Sequence, residues 1–99
     1  MDDMYILKEQ IPVRCENLIE WSKFMQEISN RIVQQSEFDG IRISTVFLGL
    51  DHSFGDGEPL LFETMIFGGK HDQYQERYST WKDAIEGHKF ACDLVQNLL

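Results

Sequence analysis

Apolar residues recur at helical spacing near the C-terminus of the chain, and this is its clearest structural pattern. Thr80 precedes the pattern as a good N-cap, and Asp83 occupies the third helical position, where a carboxylate faces the free backbone N–H groups. The apolar stripe contains one imidazole and consists of Trp81, Ala84, Ile85, His88, Cys92, Val95 and Leu99. We therefore predict a C-terminal helix that packs this stripe on a sheet.

A second helical pattern begins near Asn17, with Glu20 three residues later in a capping-box arrangement. Its apolar positions are Leu18, Trp21, Met25, Ile28 and Ile32. Residues 31–37 fit either the end of this helix or a strand that runs to the Asp39-Gly40 turn. We favour the strand.

Residues 41–50 and 60–67 are apolar at nearly every position and rich in β-branched and aromatic side chains, which predicts two paired strands with both faces covered. The glycines and the proline of residues 51–59 predict a loop between them. Further strands are expected at residues 5–7 and 75–79. Residues 1–99 are therefore expected to form a single α+β domain with a mainly antiparallel sheet of about four strands, two helices, and the C-terminal helix packed on the sheet.

The acidic composition of the chain limits the kinds of macromolecule that it is expected to bind. The chain has 17 acidic and 9 basic residues, and between Ile43 and Gly69 it has acids but no Lys or Arg. Direct binding of nucleic acid is not expected, because the surface lacks the cations that replace phosphate counterions. A basic protein surface is the favoured partner. No apolar run is long enough for a membrane span, and the start Met1-Asp2-Asp3-Met4 lacks the basic residues of a signal peptide. We therefore expect a cytoplasmic protein. Because the cytoplasm keeps thiols reduced, its cysteines are expected to be free.

Two histidines and a glutamate are the candidate metal ligands. Glu63 interrupts an apolar strand, where a carboxylate needs a cation, a proton or hydrogen bonds to compensate its burial. His52 follows the neighbouring strand and His88 lies in the helical stripe, so the three residues could hold one zinc ion. Water, Asp51 or Cys92 could complete the site, and other transition metals accept the same ligands. Taken singly, His88 could instead be a hydrogen-bonded core residue, Glu63 an outward-facing one and His52 a loop residue.

Three short motifs, Asp51-His52, Phe62-Glu63-Thr64 and Gly87-His88, carry a resemblance to a family of small phage and prophage proteins. The surrounding sequence that contributes to it lies at residues 44–50, 59–69 and 77–81. The resemblance implies that His52, Glu63 and His88 form the metal site, and Cys92 is not part of the pattern. The chain also resembles a zinc-containing type II-A anti-CRISPR class of streptococcal phage, which implies a Cas9 nuclease as partner and the cytoplasm of the bacterial host as location.

The first functional hypothesis is a non-enzymatic Cas9 inhibitor with a structural zinc ion, whose acidic residues 51–58, together with other surface acids, form the binding face. The second is a small metal-dependent hydrolase, since two His and one Glu with an open position can activate a bound water. The sequence shows no clear general base or substrate pocket for it. The third is a phage assembly factor.

Overall fold

The computed structural model describes residues 3–99. The expectation that the chain has no signal peptide rests partly on Met1 and Asp2, which lie outside the described residues. An N-terminal hairpin pairs β1 (Tyr5–Lys8) with β2 (Ile11–Arg14). It is followed by α1 (Leu18–Gln26) and a short 3-10 helix (Ile28–Asn30). None of the described helices combines the length and apolar composition needed to cross a bilayer.

The larger sheet is an antiparallel meander of four strands in the order β3-β4-β5-β6. These strands are β3 (Ile32–Phe38), β4 (Ile41–Phe47), β5 (Phe62–Phe67) and β6 (Gln75–Tyr78). The C-terminal helix α2 (Trp81–Gln96) packs across all four of them. The predicted α+β class, the antiparallel sheet and the packing of the last helix on it are confirmed.

Both predicted helix starts are confirmed by their caps. The Asn17 side chain accepts a hydrogen bond from the Glu20 backbone N–H at 3.0 Å, and the Thr80 hydroxyl accepts one from that of Asp83 at 3.1 Å. Each cap satisfies one backbone donor that has no partner within the helix. The strand preferred for residues 31–37 is also confirmed, because α1 ends at Gln26 and β3 begins at Ile32.

The core lies between α2 and the sheet, because alternate side chains of each strand point towards the helix. One cluster packs Ala84 of α2 against buried residues at one end of the sheet, namely Phe47, Leu61 and Phe62. A second cluster packs Ala91 against Ile43 and Ile66. The N-terminal elements adjoin the end of β4, where the Phe24 and Phe47 rings meet edge to face at a centroid distance of 6.0 Å.

Two features differ from the sequence prediction. The β4–β5 hairpin is covered by α2 on one face only, and the opposite face carries Arg42, Ser44 and Glu63 among its apolar residues. Its near-continuous apolar character therefore overstated how much of it is buried. The strand β2 was missed because it contains Pro12, but β2 belongs to a two-stranded hairpin, where a residue without an N–H is tolerated at an edge.

Candidate functional site

His88 lies in the middle of α2, and only 1% of its surface is exposed. Its Nδ1 atom is 2.7 Å from the Thr45 hydroxyl, and its Nε2 atom is 2.9 Å from the Ser36 hydroxyl. The Thr45 hydroxyl is in turn 2.6 Å from that of Thr64. A neutral imidazole has one donor and one acceptor nitrogen, so two hydroxyl groups satisfy both. The resulting network joins the helix to β3, β4 and β5.

Burial lowers the pKa of His88, because desolvation penalises the charged imidazolium. No carboxylate is among the hydrogen-bond partners of its ring, which are the hydroxyl groups of Ser36 and Thr45. At neutral pH the folded protein therefore holds this histidine in its neutral form.

Stability should consequently fall as the pH is lowered below about 6.5, the ordinary pKa of an unfolded-state histidine. The unfolded chain then binds a proton that folded His88 resists, so the stabilisation is complete above that pH and is lost towards the lowered pKa of the folded state. Urea denaturation between pH 7.5 and 5.5 should show a slope of at most about 1.4 kcal/mol per pH unit from this proton. His71→Gln should keep the slope, and a slope unchanged in His88→Gln would contradict the assignment.

Glu63 lies on β5 beside Thr64 but points to the other face of the sheet. The cross-strand pairs are Thr45 with Thr64 and Val46 with Glu63, and successive residues of a strand alternate between faces. The Glu63 carboxylate accepts a hydrogen bond from the Arg77 guanidinium at 2.9 Å and another from the Gln75 amide. Arg77 lies opposite Glu63 on β6 and supplies the cation that the position requires.

His52 lies in the loop after β4, where its neighbour Asp51 organises the backbone. Asp51 accepts hydrogen bonds from the backbone N–H groups of Ser53 at 2.8 Å and Leu60 at 3.0 Å. The His52 N–H donates to the Leu60 carbonyl at 3.1 Å. Burial raises the pKa of Asp51, but these hydrogen bonds outweigh it and hold the pKa below its ordinary value. Asp51 therefore stays ionised and fastens the two ends of the loop together.

The structure does not bring His52, Glu63 and His88 together. Glu63 and His88 are on opposite faces of the sheet, and both ring nitrogens of His88 already have hydroxyl partners. Within residues 3–99 no group of three or more His, Cys, Asp or Glu side chains could hold a metal ion. As folded, the predicted ligands do not fit a shared zinc ion, and no hydrolytic step can be derived through one. Zinc binding by the protein stays a prediction that metal analysis can test.

The other candidate fourth ligand, Cys92, packs against the second core cluster, and Cys15 and Cys92 are both free thiols. The hydroxyl partners of this network were not predicted from the sequence; they are Ser36, Thr45 and Thr64. The feature that could have indicated these residues is a small polar side chain near the centre of an otherwise apolar strand. Spacing alone does not show which of these side chains contact the helix.

The loop Asp51–Glu58, here called the acidic loop, presents an aromatic ring to solvent. Phe54 is 98% exposed, and the exposed acids Asp56 and Glu58 follow it. Gly55, next to Phe54, has a φ of 79°, a left-handed conformation that suits glycine. The acids of this loop were predicted from the sequence to bind a partner, whereas Phe54 was not. The feature that could have indicated Phe54 is a large apolar residue in a glycine-rich polar segment.

Searches with this chain matched no protein family model, no curated protein and no solved structure. The resemblance to small phage proteins and to the anti-CRISPR class therefore stays a prediction from the motifs.

Proposed function

We propose that this protein is a non-enzymatic inhibitor that binds a type II-A Cas9 nuclease in the bacterial cytoplasm and hinders its use of nucleic acid. The observation that carries the proposal is the acidic loop, in which a fully exposed aromatic ring stands beside two carboxylates. The Cas9 partner comes from the motif resemblance, and the chemistry of the loop suits it.

Cas9 holds its guide–target duplex in a positively charged channel. A chain with a net charge of −8 is attracted to such a channel over distances of about a Debye length, roughly 8 Å at physiological salt. Long-range attraction alone gives little specificity, and an aromatic anchor in a pocket of the partner supplies most of the contact energy in many interfaces. Phe54 has the exposure that such an anchor requires.

The base of the loop is held together by hydrogen bonds within the protein. The two hydrogen bonds to Asp51 close its base, which reduces the conformational entropy lost on binding. The hairpin strands that flank the loop are anchored in the buried core through Phe47 and Phe62. A loop with a closed base and an exposed acidic tip is suited to insertion into a basic cleft.

Binding of purified protein to Cas9–guide complex, measured by biolayer interferometry at physiological salt, tests the proposal. Asp56→Lys/Glu58→Lys and Phe54→Ala should each weaken binding by about tenfold or more, with unchanged melting temperature because the side chains are exposed. Raising the salt concentration should weaken wild-type binding and affect the charge-reversed variant less.

The matched control is Glu27→Lys/Glu86→Lys, which makes the same change in net charge at two exposed acids outside the acidic loop. It should bind within about threefold of wild type if the loop is the binding face. Equal losses in both double variants would assign binding to net charge rather than to the loop. Absence of wild-type binding to Cas9 would reject the proposed partner.

A further inference from the structure

The sheet has a second large surface that the proposed function does not use. The open face is the side of the sheet turned away from α2, formed chiefly by Arg42, Val46, Glu63, Met65, Phe67 and Arg77. The helix occupies the other face, and the N-terminal elements adjoin the end of β4. The apolar residues of the open face are only partly covered.

The centre of the open face is apolar. Val46, Met65 and Phe67 line a shallow hollow together with Ser44 and Glu63, and all three apolar side chains are partly exposed. Covering this apolar centre with another surface would remove its exposed area from water, which favours association.

The rim of the open face carries two arginines, and each has a glutamate on the neighbouring strand. The Arg42 guanidinium lies 4.7 Å from the centroid of the Phe67 ring, and Arg42 faces Glu37 across the β3–β4 ladder. Arg77 is bonded to Glu63 at 2.9 Å. An apolar centre inside a polar rim is the usual anatomy of a protein–protein interface.

The charge of this face decides which partner it fits. Its two arginines balance Glu37 and Glu63, whereas the whole chain carries a net charge of −8. A strongly basic partner would be attracted more strongly to the acidic surfaces elsewhere on the protein than to this neutral face. A second copy of this acidic chain is repelled by most other surfaces, but it can approach through this neutral one.

We propose that the open face is the contact between two copies of this chain in a two-fold symmetric dimer. A two-fold axis that lies between the two copies, parallel to their sheets, sets each apolar centre against its equivalent, with the sheets about 10 Å apart. This axis can be oriented so that arginines of one rim lie near glutamates of the other. This proposal stands independently of the proposed binding to Cas9.

The size of the face sets the strength of the dimer. Four strands about 4.8 Å apart, and about six residues long at 3.3 Å each, span roughly 400 Å². A standard interface buries about 800 Å² on each partner. The dimer should therefore be weak and should form progressively as protein concentration rises through the micromolar range.

Sedimentation velocity from about 5 to 500 µM tests this, a range that suits an interface of this size. Wild type should shift from monomer to dimer, and Met65→Lys should raise the dissociation constant at least tenfold by placing a charge in the apolar centre. The control Ile11→Lys changes another exposed apolar residue, 63% exposed on β2, and should leave the dimer intact. Melting curves establish that each variant is folded.

A charge swap gives a second, independent readout. Arg77→Glu makes each open face net negative and should weaken the dimer at least tenfold, whereas Glu63→Arg/Arg77→Glu restores neutrality and should recover it. A wild-type protein that stays monomeric at 500 µM would overturn the proposal. A dimer that survives Met65→Lys would also overturn it, because the contact would then lie on another surface. A different protein that binds this face of a monomeric chain would overturn it as well.

Discussion

Replacing His88 with alanine should lower the free energy of unfolding by about 3 to 5 kcal/mol, a loss typical of emptying a fully buried site. The substitution removes a ring that is 1% exposed and leaves a cavity between α2 and the sheet. It also takes the imidazole partner from the Ser36 and Thr45 hydroxyl groups, and an unpaired buried hydroxyl costs about 1 to 3 kcal/mol. Urea denaturation at pH 7.5 measures the change.

The matched comparison uses the other two predicted zinc ligands. Glu63→Ala should cost about 1 kcal/mol or less, because its ion pair with Arg77 is partly solvated, and His52→Ala should be similarly mild. A chelator should leave the wild-type melting temperature unchanged. A shared structural zinc ion predicts the opposite pattern: equal losses in all three variants, a chelator-sensitive melting temperature and about one zinc per chain by elemental mass spectrometry.

Thr45→Val separates the hydroxyl network from any metal site, because Thr45 is not a candidate ligand. It keeps the shape of the side chain and removes the hydroxyl that meets both His88 and Thr64. The expected cost is about 1 to 3 kcal/mol. A loss below about 0.5 kcal/mol, the range of ordinary surface changes, would mean that these hydrogen bonds do not hold the helix to the sheet.

The contrast between His88 and Glu63 shows how far the sequence could predict this site. Helical spacing correctly placed His88 on the buried stripe of α2, and local capping patterns correctly located both helix starts. The compensation of Glu63 could not be predicted in the same way. Its partner Arg77 is fourteen residues away in sequence, and the β5–β6 register brings the two side chains together.

The sequence also could not predict which face of the sheet each polar side chain occupies. An apolar strand alternates between two sides, but its composition does not show which side meets a helix when both are largely apolar. Thr45 and Glu63 are both polar interruptions of apolar strands, yet the register sends them to opposite faces. Without that register, three separately placed side chains resembled one metal site.

Gly87→Ala should lower the free energy of unfolding by about 2 to 3 kcal/mol, although alanine is the better helix former by about 1 kcal/mol. A Cβ atom at Gly87 would overlap the phenol ring of Tyr78. Tyr78 packs against the buried cluster that contains Phe47 and Phe62, so its ring has little room to move. The helix and β6 would have to separate, which would also draw the neighbouring His88 away from its hydroxyl partners.

Two variants isolate this close approach in the same denaturation experiment. Gly57→Ala places a methyl group where there is no atom within 4 Å, so it should change stability by less than about 0.5 kcal/mol. Adding Tyr78→Ala to Gly87→Ala removes the overlapping ring. The stability lost in the double variant should therefore be smaller than the sum of the losses in Gly87→Ala alone and Tyr78→Ala alone. If Gly87→Ala instead stabilises the protein, helix propensity outweighs the overlap, and Gly87 is not what allows α2 to lie close enough for His88 to reach Thr45.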